Sequence, residues 1–112
     1  MAKTNKAQEI GFQIVSLAGD ARSLYLECLD TLRKSTKANL KSSISSIEKK
    51  MKEAEDLLNE CHVKQTDMLQ AEAQGKAQPF AYLMVHAQDH LMTTILLKEM
   101  LASFIDLYKK AF

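Results

Sequence analysis

Between Leu40 and Met68 the positions Leu40, Ile44, Ile47, Met51, Ala54, Leu58, Cys61, Gln65 and Met68 alternate steps of four and three without a slip. This is a heptad seam, and it keeps one face of an α-helix turned toward a partner along its whole length. The pattern predicts a helix over about 37–74, roughly 57 Å long at about 1.5 Å per residue, which is long for a small domain. Helices with so strict a seam find partners, within the chain or between chains. Gly75 and Pro79 follow it in the order of a stop and then a start.

The rest of the chain is equally committed to helix, with one proline and three glycines in 112 residues. A first helix, over about 5–33, carries Ile10, Ile14, Leu17, Ala21, Leu24, Cys28 and Leu32 on one face. Gly19, with the small residues Ala18 and Ala21 nearby, would allow a close helix crossing. A third helix spans about 79–110, so the fold class is all-α, an antiparallel three-helix bundle in a single domain covering 1–112. A chain of this length buries only roughly 60–70% of the surface its unfolded form exposes, so self-association would help it.

The third helix differs in kind, because apolar residues nearly encircle it. At about 100° per residue, Tyr82, Val85, Asp89, Met92, Leu96, Met100 and Leu107 share one face, with the aspartate at its centre. The neighbouring face carries His86, His90, Leu97, Leu101, Phe104 and Tyr108. Only a narrow strip with Gln88 and Glu99, and Lys98 across from Asp89, suits water. Two partners in one small bundle cannot cover such a helix, which implies that other subunits cover the remainder.

An ionised carboxylate amid apolar residues costs several kcal/mol unless paired. One reading makes Asp89 a core carboxylate paired with a base such as Arg22, with the histidines satisfied locally. Two chemistries fit the HxxDH spacing better. Histidines one turn apart with a nearby carboxylate can converge on a metal ion. Alternatively, a neutral imidazole accepts a phosphoryl group while the next histidine donates a hydrogen bond to the phosphate oxygens.

Composition narrows the classes. A net charge of +1, with no basic face interleaved with aromatics, argues against nucleic-acid binding. MAKTNKAQEI lacks the apolar core of a signal peptide, and His86, Gln88, Asp89 and His90 interrupt the longest apolar region, so neither export nor membrane insertion is indicated. Cys28 and Cys61 form no CxxC pair and suit a reducing cytoplasm as small buried hydrophobes.

The stretch VHAQDHLMT at 85–93, with ILLKEM following, resembles the phosphorylation-site helix of the lactose/cellobiose-type enzyme IIA of the bacterial phosphotransferase system. EIGFQIVSLAGDARSLYLECL at 9–29 is similar to that family's first helix, and AEDLLNECHVKQTDMLQAEAQG at 54–75 to the end of its second. The likeness runs from about Gln8 to Lys109. It implies a three-helix protomer assembled as a homotrimeric nine-helix bundle. It implies phosphorylation of His86 by the phosphocarrier HPr and transfer to a cysteine of the cognate enzyme IIB, so that a β-linked disaccharide is phosphorylated as it crosses the enzyme IIC permease. Asp89 matches an aspartate that, with its copies, holds a metal ion on the trimer axis, and oxygen ligands favour a hard cation such as magnesium over zinc. Gln88 and His90 match positions near the phosphorylated imidazole and are read as phosphate-stabilising. Where the family often has a glycine and an acidic residue at its first turn, this chain has KSTKANLKSSISS at 34–46, read as solvated helix surface. Two rivals remain: a coiled-coil adaptor indifferent to His86, and a helix-borne metal site using His86, Asp89 and His90.

Overall fold

The computed structural model describes residues 6–76 and 79–112. It contains three helices, α1 (Lys6–Arg33), α2 (Leu40–Ala73) and α3 (Tyr82–Ala111), and no strand among the described residues. The expected start of the first helix at residue 5 lies outside that range.

Local chemistry sets the helix ends. Past α1, the Thr36 backbone N–H donates to Asn39 Oδ1 at 2.7 Å, and the Asn39 N–H donates back to the Thr36 carbonyl at 3.2 Å. This reciprocal turn competes with the helical ladder, so α2 begins at Leu40 rather than at about 37. The serine-rich stretch accordingly divides between this turn and the first turns of α2. At the other end Gly75 takes φ +75°, the Lys76 N–H reaches the Ala71 carbonyl at 2.7 Å and the Gly75 N–H reaches the Glu72 carbonyl at 3.0 Å. These are the two bonds of a Schellman stop, in a conformation that favours glycine. Pro79 does not open α3 as the sequence suggests. Ala81 is extended (φ −137°, ψ 128°) and buried, so the ladder starts only at Tyr82.

The helices lie side by side in a slab of 56 × 30 × 18 Å. The Cys28 thiol donates to the Ile47 carbonyl at 3.6 Å, and the Cys61 thiol to the Ile14 carbonyl at 3.7 Å, so α1 and α2 run antiparallel. Lys50 and Glu27 add an ion pair at 3.1 Å between the same helices. The start of α1 meets the start of α3: a Cβ on Gly11 would stand 3.1 Å from Leu83 Cγ. The close crossing is therefore at Gly11, and Gly19, where an added Cβ meets nothing within 4 Å, is not one.

α1 is the central helix, packed against both neighbours, while α2 and α3 meet only sparsely. Its seam of Ile14, Ala18, Ala21, Tyr25, Cys28 and Leu32 is buried against Ile47, Ala54, Leu58 and Cys61 of α2 and Ala87, Leu91 and Leu101 of α3. Burying each large side chain of this set contributes about 1.5–3 kcal/mol. With α1 covering only one side of α3, the face bearing Tyr82, Val85, Met92, Leu96, Met100 and Leu107 stays bare. Tyr82 is 79% exposed, and Met92 and Leu96 are each 54% exposed. Exposed apolar strips of this kind are common at association surfaces. Among the described residues no helix is long and apolar enough to cross a membrane.

Candidate functional site

The residues singled out from the sequence sit on the second and third turns of α3, close to the start of α1 and the end of α2. His86 and His90, four residues apart, stack edge to face with ring centroids 4.6 Å apart and planes at 75°. His86 is exposed, whereas His90 is half-buried. The Nδ1 atom of His90 is buried without a hydrogen-bond partner, which leaves Nε2 as the nitrogen able to act at the surface. Backbone carbonyls of this segment are capped from within: Thr93 Oγ1 donates to the Asp89 carbonyl at 2.7 Å, and Thr94 Oγ1 to that of His90 at 2.6 Å. The fully buried Thr94 thereby anchors the turn that follows His90 to the core.

Asp89 is exposed on the protomer at the centre of the bare apolar face, and no ion pair to Arg22 forms. The reading of Asp89 as a paired core carboxylate is thus set aside. His86, Asp89 and His90 do not make a three-donor metal group, and none exists among the described residues. Edge-to-face packing holds the imidazoles against each other, and Asp89 projects onto the next face.

Gln88 stands apart from the histidines of its own chain. It lies about 200° around the helix from His86, so in one chain it cannot join the histidines. It is also not on a water-facing strip, because it is half-buried and its Oε1 accepts a hydrogen bond from Gln65 Nε2 of α2. Its own Nε2 approaches Met84 Sδ at 3.9 Å. Gln65, Met68, Met84, Val85 and Gln88 line a recess of about 330 Å³ where α2 and α3 open away from each other. The sequence assigned Gln65 only a seam position; an amide among otherwise apolar or thiol side chains was the available signal.

Viewed down onto α3 with Asp89 facing the observer, His86 and His90 flank it on one side and Gln88 on the other. The chain therefore carries His86 and His90 on one flank of the exposed face and Gln88 on the other.

The chain matches the family model described as "PTS system, Lactose/Cellobiose specific IIA subunit" over residues 9–109. It is 40% identical over 106 residues to a lactose-specific EIIA component of Staphylococcus epidermidis, covering 95% of each chain. To the lactose-specific EIIA component of Lactococcus lactis it is 44% identical over 101 residues, covering 90% of each. Among solved structures, the cellobiose-specific enzyme IIA from Bacillus anthracis superposes with a TM-score of 0.83 at 37% identity, with 97% of this chain and 94% of that one covered. PtcA from S. mutans gives the same TM-score of 0.83 at 38% identity, with 96% and 99% covered. The match in sequence and in helix arrangement extends over the site as well as the scaffold, and the chain belongs to the lactose/cellobiose-specific IIA family of the phosphotransferase system.

Proposed function

We propose that this protein is a cytoplasmic phosphocarrier that takes a phosphoryl group from HPr on His86 and gives it to the cysteine of its enzyme IIB. The observation that carries the reading is an exposed His86, stacked against His90, on a chain of this family. The transfer breaks the phosphorus–nitrogen bond of phospho-HPr and forms one at a His86 ring nitrogen, whose lone pair must be free. Acidity that protonates His86 therefore suppresses it. The thiolate of enzyme IIB then takes the group, and His86 returns to neutral imidazole. The loose transition state needs positioning and electrostatic support rather than further covalent chemistry. His90 Nε2–H is the donor for the phosphoryl oxygens, with its buried Nδ1 as the unprotonated nitrogen.

The bare face of α3 supports assembly as a homotrimer around Asp89, giving nine helices. One Asp89 offers at most two oxygens, too few for a hard cation that takes six or more, so a single chain does not fit a metal. Three copies supply the donors. A divalent cation such as magnesium bound there neutralises carboxylates that would otherwise repel one another. In any such ring the His86 flank of one copy faces the Val85–Gln88 flank of the next, so the phosphoryl site is shared between subunits. The cargo system is one for a β-linked disaccharide of the lactose, cellobiose or chitobiose class, with discrimination among these in the enzyme IIC permease.

Incubation with phosphoenolpyruvate, enzyme I and HPr, followed by mass spectrometry under alkaline conditions, tests the carrier role. Acid-labile phosphate on His86, absent from His86→Ala, is the expected result. A folded wild type that takes no label overturns it.

A further inference from the structure

A side-chain amide can turn by half a revolution at little steric cost, so whether Gln88 offers N–H or C=O is decided by what else it touches. Here Gln65 Nε2–H occupies Gln88 Oε1, and the Gln88 nitrogen lies on the side of the weak acceptor Met84 Sδ. In this arrangement Gln88 presents its N–H groups toward the recess. Phosphoryl oxygens require donors, and hydrogen bonds to them are among the stronger ones a neutral amide can make. The recess, at about 330 Å³, has room for an imidazole ring entering from a neighbouring copy.

We infer that Gln65 is a positioning residue for phosphoryl transfer: from α2 it fixes the polarity of the Gln88 amide, so that Gln88 donates to the phosphoryl group on the adjacent copy's His86. The inference rests on the carrier reading. It also explains why an amide interrupts an otherwise apolar seam, since a leucine at position 65 would pack as well and leave Gln88 unheld.

The decisive substitution is Gln65→Glu, which keeps the shape and can only accept. Gln88 must then turn to donate to the new carboxylate, presenting its oxygen to the phosphoryl group. Phosphorylation by phospho-HPr is expected to slow about tenfold, with a comparably shorter phosphohistidine lifetime. Gln70→Glu adds the same charge at an exposed position of α2 and is expected to match wild type in both readouts. Gln65→Met, which packs but cannot donate, is expected to show an effect of about threefold and stands in if Gln65→Glu folds poorly. In wild type the side-chain 15N–1H resonances of Gln88 are expected to shift on phosphorylation of His86, and this response is expected to vanish in Gln65→Glu. Label on wild type, with Gln65→Glu indistinguishable from Gln70→Glu, overturns the role of Gln65 alone. Absence of label on wild type overturns the carrier reading and this inference together.

Discussion

Tyr25 is fully buried on the central helix, and its hydroxyl has no hydrogen-bond partner. An unmade buried hydrogen bond costs about 1–3 kcal/mol, while removing the hydroxyl leaves the ring packing in place. Tyr25→Phe is therefore expected to stabilise the fold by about 1 kcal/mol. The readout is a higher urea midpoint at unchanged slope; a lower midpoint shows that the hydroxyl is satisfied in solution. Burial also pushes the Tyr25 hydroxyl from 10.0 up to about 12 and the Cys61 thiol from 9.0 up to about 11. Each group thus holds its proton more tightly in the folded state than in the unfolded one. The associated stability is complete below the unfolded values and is lost as pH climbs, from 9.0 to about 11 for Cys61 and from 10.0 to about 12 for Tyr25. Unfolding free energies measured across that range are expected to fall; because burial also raises the Cys28 thiol from 9.0, Cys61→Ala is expected to leave the onset in place and make the decline shallower. A decline as steep as that of the wild type clears Cys61 of responsibility. His86 belongs to this scale too: its motif was readable because the apolar sequence around it made each polar interruption conspicuous. Gln65 escaped because a single amide at a seam position has many uses, and only the α2–α3 contact selects one.

At the level of the helix, the two glycines of α1 separate propensity from packing. Gly19 has no neighbour within 4 Å of an added Cβ, so Gly19→Ala is expected to stabilise by about 0.5–1 kcal/mol through backbone entropy. Gly11 gains the same propensity on substitution, but the new Cβ meets Leu83 Cγ at 3.1 Å and the Leu83 backbone carbon at 3.4 Å. Gly11→Ala is therefore expected to lower the melting temperature relative to Gly19→Ala. Equal shifts from the two variants mean that α3 slides to accommodate the methyl group. The sequence pointed to the wrong glycine because Gly19 sits among small residues, whereas crossings are fixed by where α3 begins. That start is itself displaced from Pro79 to Tyr82 by the extended Ala81. The helix count, the α2 seam and the stop at Gly75 were legible because each is a local property, written in periodicity or in a backbone conformation that favours glycine. The central place of α1, and with it the sparse α2–α3 contact that leaves a recess, depends on how three faces share one core and has no local signature.

For the whole molecule, the uncovered α3 face makes both the proposed assembly and the proposed site collective properties. In the proposed trimer three Asp89 carboxylates would repel and a bound divalent cation would offset this, so chelation is expected to lower the melting temperature of the wild type. Asp89→Asn removes the charge, and its melting temperature is expected to ignore the chelator; equal sensitivity would place the cation elsewhere. The shared site gives a sharper expectation. His86 and Gln88 lie on opposite flanks of Asp89, so a ring of copies sets His86 of one against Gln88 of the next. A trimer of His86→Ala chains has no acceptor, and a trimer of Gln88→Ala chains has acceptors without the amide. Mixing the two by unfolding and refolding together creates interfaces where an intact His86, from a Gln88→Ala chain, faces an intact Gln88, from a His86→Ala chain. Phosphohistidine lifetime in the mixture is expected to contain a component matching wild type, alongside a faster one from interfaces that lack the amide. If Gln88 acted within its own chain, every labelled histidine in the mixture would lack it and only the fast component would be seen. The separation of about 200° around α3 argues for the first outcome.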